Sequence, residues 1–419
     1  MKWPILKIQC FCKTGSGGTP STRKKDTYYG GDIPWVKSGE LKDDILLSTE
    51  ATLTDLGLAE SAAKLVPAGS VLIAMYGATI GKTALLGIDA ATNQAVCNVI
   101  PNPQVADNRY VWYALRHSVP QFIAKRVGGA QPNISQKIIS ETLLPVPPIS
   151  EQRRIVELLD QADGLRKRRS EADAKAARIL PALFYKMFGD PATNPKRWRR
   201  AILGDVTVET QYGTSVKADA NGKGIAVIRM NNIEPSGRMD LTDLKYAPLS
   251  EHELRHHALK PGDLLFNRTN SKELVGKTGL WQAQMEAVAA SYLIRIRIDL
   301  AQARPEYIWA YMNSRYIKQT LFDKCRRAIG MANINARELR ALPLVIPPLP
   351  MQDAFEVRLR KADSLLAQQD CLRNKLERLF SVLLHRAFTG DLTVEWREVH
   401  MKELLEEMES QARALETKS

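Results

Sequence analysis

Long apolar runs are missing from this 419-residue chain. Its greasiest stretch, Val71–Tyr76, falls far short of the roughly 20 residues needed to cross a bilayer, and the opening MKWPILKIQC has no leader-like run, so neither a span nor an export signal is expected. Cysteine is scarce as well. The five present (Cys10, Cys12, Cys97, Cys325, Cys371) are odd in number and do not recur as a framework, which argues against a disulfide scaffold and for reduced thiols in the cytoplasm. Cys10 and Cys12 have no second pair at zinc-site spacing. Acidic residues are outnumbered, 46 against 59 lysines and arginines, which gives a net charge of +13 and a pI near 9.4. The last 25 residues run the other way, with seven acids and four bases, so the body is more basic still. Such a body suits a polyanion such as nucleic acid without requiring one.

What the chain does contain, it contains twice. Pro147-Pro148 opens one helical stretch and Pro347-Pro348 another. The offset of 200 residues persists through Asn133/Asn333, Ile134/Ile334, Gln152/Gln352, Asp163/Asp363 and Phe188/Phe388. A repeat this long exceeds any solenoid unit and indicates duplicated domains. Each copy starts near a tryptophan, Trp3 or Trp198, and is mostly β in character: Val71–Tyr76 and Gln94–Ile100 in the first, Leu264–Phe266 and Tyr292–Ile298 in the second. A short helix follows, Tyr110–Leu115 or Tyr307–Met312, with Trp112 and Trp309 matched. Ile294, Ile296 and Ile298 alternate with Arg295 and Arg297, so one strand face belongs to a core and the other to water or a ligand.

Beyond each proline pair the pattern turns to heptads. From Ala162 one stripe runs Leu165, Arg169, Ala172, Ala176, Ile179 and Leu183; from Ala362 the other runs Leu365, Gln369, Leu372, Leu376, Leu379 and Leu383, which predicts a coiled-coil seam in one phase. Pro181 predicts a kink or break, and Gly189 and Gly390 mark the helix ends. The second helix has to return along the first, so the pair should be antiparallel. The expected fold is α/β (α+β): two similar recognition domains joined by two long antiparallel coiled-coil helices, with pseudo-twofold symmetry. That places the first domain at 1–146, a helical spacer at 147–190, the second domain at 191–346, a second spacer at 347–394 and an acidic tail at 395–419.

Three strings invite an enzymatic reading. His252-Glu253-Leu254-Arg255-His256 matches the zinc-protease pattern, but the first copy has Ala59 and Ala63 where the histidines stand, and no third ligand is evident. Gly77–Thr83 (GATIGKT) is one residue short of a phosphate-cradling loop. Its counterpart Gly276-Lys277-Thr278 has Ser271 in place of the first glycine, which leaves a tight turn offering a cation and a hydroxyl, or a plain solvated hairpin. The proline pairs lack the polar and aromatic neighbours of an amino-methyltransferase motif, since Val146 and Ile346 precede them and Ile149 and Leu349 follow. No catalytic constellation emerges.

Gln131–Ser135 (QPNIS), Leu144–Arg153 (LPVPPISEQR), the echo ANIN…LPLVIPPLPMQ and the helix endings FGD and FTGD together resemble the specificity subunits of type I restriction–modification systems. The resemblance covers nearly the whole chain. It implies a non-catalytic DNA-binding subunit in which each domain reads half of a split target while the helices set the gap and dock two methyltransferase subunits, with restriction subunits joining. S-adenosylmethionine, ATP and magnesium would then sit on those partners. Pro147, Pro148, Gln152, Pro347, Pro348 and Gln352 become the expected docking residues. The second copy departs where Glu151 and Arg153 become Met351 and Asp353, so partner contacts there need not be symmetric. Base edges are read by amides, guanidinium groups, amines and hydroxyls. The expected DNA contacts are therefore Tyr76, Thr79, Lys82, Asn93, Gln94 and Gln131 in the first domain, and Asn267, Arg268, Asn270, Lys277, Arg326 and Arg327 in the second; the repeated Asn133 and Asn333 fit a shared turn or a phosphate. The rival readings are a zinc hydrolase using His252 and His256, and a free-standing DNA-binding regulator.

Overall fold

The strand-rich segment before each proline pair folds with part of both long helices. In the computed structural model, which describes residues 2–124, 133–271, 275–325 and 332–416, the chain forms two compact α/β units: Met1–Ser170 with Leu372–Ser419, and Glu171–Cys371. The division falls inside the long helices, Ile149–Ala176 and Leu349–Thr389, rather than at their ends.

In the first unit β1 (Cys12–Ser16), β2 (Asp44–Leu46), β3 (Val71–Ala74), β4 (Thr83–Leu86) and β6 (Val96–Pro101) form a sheet of order β1-β6-β3-β4-β2, antiparallel except where β2 meets β4. β5 (Ala90–Thr92) joins a second sheet, parallel to Tyr29–Val36. β3 is buried on both faces, which is why its sequence is continuously apolar instead of alternating. Trp112, Leu115 and Phe122 from the helix Asn108–Ala124 join the same core, and Ile5–Lys7 pairs with Leu143–Pro145 to close the unit.

The second unit repeats this plan. β7 (Thr207–Tyr212), β8 (Leu264–Asn267), β9 (Thr278–Leu280) and β11 (Leu293–Ile298) stand in the order β7-β11-β8-β9. β10 (Ala287–Ala289) runs parallel to Ile225–Ile228, and Arg199–Ile202 pairs with Pro343–Ile346. Tyr110 donates to Pro145 O in the first unit and Tyr307 to Val345 O in the second. The arginine face of β11 is neither wet nor left for a ligand: Arg295, 3% exposed, pairs with Glu209 at 3.0 Å, and Arg297 pairs with Glu209 at 2.8 Å and Asp263 at 3.0 Å.

Within the first unit the helices are antiparallel, with Arg166 gripping Glu377 through two bonds of 3.0 and 2.6 Å while Glu151 meets Thr393. The buried positions follow the expected stripe only in part, with Ala162 and Ala176 buried on it. Ile155, Leu159 and Ala162 pack with Phe380 and Ala387 around Tyr110 and Tyr113, whereas Leu165, Leu365, Leu372, Leu379 and Ile179 are about half exposed. A heptad establishes that an apolar stripe exists, but near each end the burying surface is the domain's aromatic residues as well as a facing helix, and this selects a neighbouring stripe. The first helix is interrupted between Ala176 and Ile179, one turn before Pro181, whose ring would clash with the carbonyl four residues back. Gly189 and Gly390 follow the helix ends at φ +81° and +88°. The acidic terminus is no tail: Val394–Val399 and Met401–Glu416 are helices, and Leu404 is fully buried.

Candidate nucleic-acid interface

Each unit builds the same short ladder at one end of its main sheet. In the first, Met75 N–H donates to Ala95 O at 2.8 Å, Ile134 N–H to Met75 O at 2.7 Å, and Tyr76 bridges Asn133. In the second, Arg268 N–H donates to Tyr292 O at 3.0 Å, Ile334 N–H to Arg268 O at 2.9 Å, and Thr269 pairs with Asn333. Buried Ile134 and Ile334 anchor both. Beside each ladder a strand ends in a glycine that no other residue could replace without a shift. A Cβ on Gly17 would lie 1.7 Å from Thr92 O, and one on Gly213 would lie 2.2 Å from Ala289 O. Ser16 pairs with Cys97 where Tyr212 pairs with Ile294. These bonds equate Ser16 with Tyr212, Met75 with Arg268, Tyr76 with Thr269 and Ala95 with Tyr292. The anchors are kept, and the side chains around them differ.

Several expected contact residues gather here. Tyr76 stands half-buried on the ladder, Gln94 is exposed and bonded to the Thr19 hydroxyl, and Thr79 lies in the adjoining turn, its carbonyl accepting from Lys82 N–H at 2.9 Å. Asn93 uses its side-chain oxygen locally, accepting from Ala95 N–H at 3.2 Å. Lys82 is not a free cation, because it pairs with Asp43 at 2.7 Å. Burial pushes the Asp43 carboxyl up, but the bonds from Lys82 and Thr83 outweigh it and hold the group below its ordinary range. In the second unit Arg268 is half-buried on the ladder, and Asn270 pairs through its backbone with Ala332. Two expectations are overturned by burial. Asn267 is wholly enclosed within β8, and Lys277, 8% exposed, donates inward to Met230 O at 2.9 Å and Ile233 O at 2.5 Å, with its amine pushed down by desolvation. Gln131, Arg326 and Arg327 lie outside the described residues. Sequence reasoning missed Tyr212 and Tyr292, 42% and 50% exposed. Strand alternation puts Tyr292 on the side of buried Ile294, and only the strand's end frees it.

The model of the type I restriction modification DNA specificity domain matches residues 2–172. The chain is 24% identical over 422 residues to the type I restriction enzyme EcoKI specificity subunit of Escherichia coli K12, covering 94% of this chain and 90% of that protein. Its fold resembles a chain of a type I R-M system solved for its complex assembly and conformational transition, at TM-score 0.58 and 18% identity with 93% and 98% of the chains covered. It also resembles the S subunit from M. genitalium, at TM-score 0.53 and 13% identity with 93% and 96% covered. The chain is thus similar over nearly its whole length to a type I restriction enzyme specificity subunit, and its fold resembles that of an S subunit.

The strings that invited an enzymatic reading are engaged within the fold. Glu253, the would-be water-activating group, caps its own helix by accepting from Ser250 N–H at 2.9 Å and the Ser250 hydroxyl at 2.7 Å. Among the described residues no three His, Cys, Asp or Glu side chains are grouped to hold a metal, and no helix is long and apolar enough to cross a membrane. The Gly-Lys-Thr triplets do occupy corresponding hairpins, β3–β4 and β8–β9.

Burial also corrects the docking residues expected from the specificity-subunit resemblance. Gln152 is wholly buried, donating to Val105 O at 2.9 Å and Pro147 O at 2.7 Å and accepting from Asp107 N–H at 2.8 Å. Gln352 repeats this with Pro347 O and Arg304 N–H, both at 2.8 Å. Each amide is enclosed and locks a helix start to the loop before the Trp112 or Trp309 helix. Pro147, Pro148 and Pro347 are buried; Pro348 is exposed. The Glu151-to-Met351 difference is internal too. Glu151, 0% exposed, accepts from Trp3 Nε1 at 2.9 Å, Thr393 Oγ1 at 2.6 Å and Arg397 Nε at 2.7 Å, while Met351 packs against the second unit's apolar core.

Proposed function

We propose that this chain is the DNA-reading subunit of a type I restriction–modification complex. Each unit recognises one half of a bipartite duplex target, and the chain scaffolds methyltransferase and restriction subunits in the cytoplasm. The observation that carries the reading is the ladder built twice on the same backbone bonds with different side chains around it: Ser16, Met75, Tyr76 and Ala95 against Tyr212, Arg268, Thr269 and Tyr292. A scaffold kept while the side chains on it change is what two unlike half-sites require, since backbone geometry sets position and side chains read base edges. The net charge of +13 supports a polyanionic partner. Tyr76, Thr79, Gln94 and Arg268 are the contact residues retained from the sequence. S-adenosylmethionine, ATP and magnesium would act on the partner subunits.

Selection from a random duplex library by the full-length chain tests this. The expected outcome is two defined half-sites separated by unspecified bases of fixed number. One uninterrupted motif, or no enrichment, overturns it. Co-purification with a methyltransferase is the matching test of the scaffold role, and a chain that binds its target yet recovers no such partner would favour a free-standing regulator.

A further inference from the structure

We propose that Arg268 is the residue with which the second unit reads a guanine, an assignment that rests on the DNA-recognition reading above. Arg268 provides both backbone bonds of the ladder, to Tyr292 at 3.0 Å and from Ile334 at 2.9 Å, so its side chain leaves from the most tightly fixed point of that end. The corresponding positions of the first unit hold Met75 and Ala95, each 6% exposed and apolar. The copies therefore differ where two half-sites would have to be told apart.

Five other cations of this unit are satisfied internally: Arg229 by Asp243 at 2.8 Å, Arg295 and Arg297 by Glu209 and Asp263, Arg304 by Asp353 at 2.5 Å, and Lys277 by backbone carbonyls. Arg268 has no carboxylate partner among the described residues, and its Nε is buried without a hydrogen bond. Its guanidinium instead lies 4.9 Å over the ring of Tyr212, whose hydroxyl is fixed by Ala336 N–H at 3.0 Å. An aromatic face holds a guanidinium's plane without using up its donors. A pre-oriented fork with unused N–H groups matches the O6 and N7 acceptors that guanine alone presents together in the major groove.

Duplex selection by the full-length chain, wild type against Arg268→Ala and Arg268→Lys, decides the matter. The wild type should require a G·C pair at one position of one half-site. Arg268→Ala should lose about 5- to 150-fold discrimination at that position and leave the other half-site intact. Arg268→Lys, which keeps the charge but not the fork, should soften the same position by less; should the alanine variant fail to fold, this variant alone carries the test. An unchanged motif overturns the assignment. So does uniform weakening across sequences with a salt slope lower by about 1, the mark of a phosphate contact. A wild-type selection without a split motif would overturn the recognition reading itself, and the two failures are thus distinct.

Discussion

Glu151→Met should loosen the first unit at the place where three separate stretches of chain meet. The wild-type carboxylate is fully enclosed and takes hydrogen bonds from Trp3, Thr393 and Arg397, whose side chain is 11% exposed. Methionine keeps roughly the volume and removes every acceptor, leaving a guanidinium buried beside an apolar group. Removing one partner of a buried ion pair costs about 3–5 kcal/mol. At about 2–4 °C per kcal/mol for a domain of this size, the unit's Tm should fall by about 6–20 °C. Hydrogen exchange should locate the loss in Thr393–Glu416, because Glu151 ties that segment to the first long helix, as Glu407 does through Ser150 at 2.9 and 3.0 Å. Adding Arg397→Met should recover most of the deficit, since replacing both members of a buried pair by apolar groups is nearly neutral. The reasoning is refuted if the single variant lies within about 1 kcal/mol of wild type, or if the double variant is no more stable than the single one.

Gln352→Ala should strand Arg304 N–H and Pro347 O, lowering the stability of the second unit by about 1–3 kcal/mol for each group left without a partner. Denaturant unfolding reads this directly, and an unshifted midpoint would free Gln352 for a docking role. Lys277→Met should leave the salt dependence of DNA binding unchanged while destabilising the fold, because its amine faces two carbonyls and not a phosphate; a shallower salt slope would reverse that assignment. Burial and neighbouring Lys277 push the Lys318 amine down to about 8 from the ordinary 10.5. The unfolded chain therefore binds more protons than the folded one between those values, so stability should rise with pH across that window and the rise should flatten in Lys318→Met.

The duplication, the β-rich character of each copy and the helix ends were legible because packing repeats them: Ile134/Ile334 are buried, Gln152/Gln352 make equivalent locks, and Phe188 and Phe388 both pack against tyrosines of their own units. The seam was legible only in part, since Ala162 and Ala176 of the heptad stripe are buried while Leu165, Leu365 and Leu372 are about half exposed. The recognition end was the least legible part. Lys277 and Asn267 have the right chemistry for DNA but point inward, a fact set by tertiary packing and invisible to residue type. Tyr212 and Tyr292 escape any search for repetition, because their counterparts are Ser16 and Ala95. The glycine that frames the ladder hides for another reason. Gly17 and Gly213 are 196 residues apart, not 200, so loop-length changes move them out of register with the repeat.

The Glu151/Met351 difference follows from how each unit is assembled. The first unit is made of two separate stretches, Met1–Ser170 and Leu372–Ser419, and its long helix start is joined to the later stretch by buried polar bonds: Glu151 to Thr393 and Arg397, and Gln411 to the same Val105 and Pro147 carbonyls that Gln152 holds. The second unit is one continuous stretch, Glu171–Cys371. There Thr193 and Arg197, at the 200-residue offset from Thr393 and Arg397, are exposed, and Trp198 donates to Phe188 O at 3.1 Å instead of to a carboxylate. That segment runs directly into the strand Arg199–Ile202, which pairs with Pro343–Ile346 just before the helix start, and apolar contact suffices. A segment far away in sequence must be held by contacts alone, and directional bonds to a buried carboxylate fix its register in a way that methionine could not.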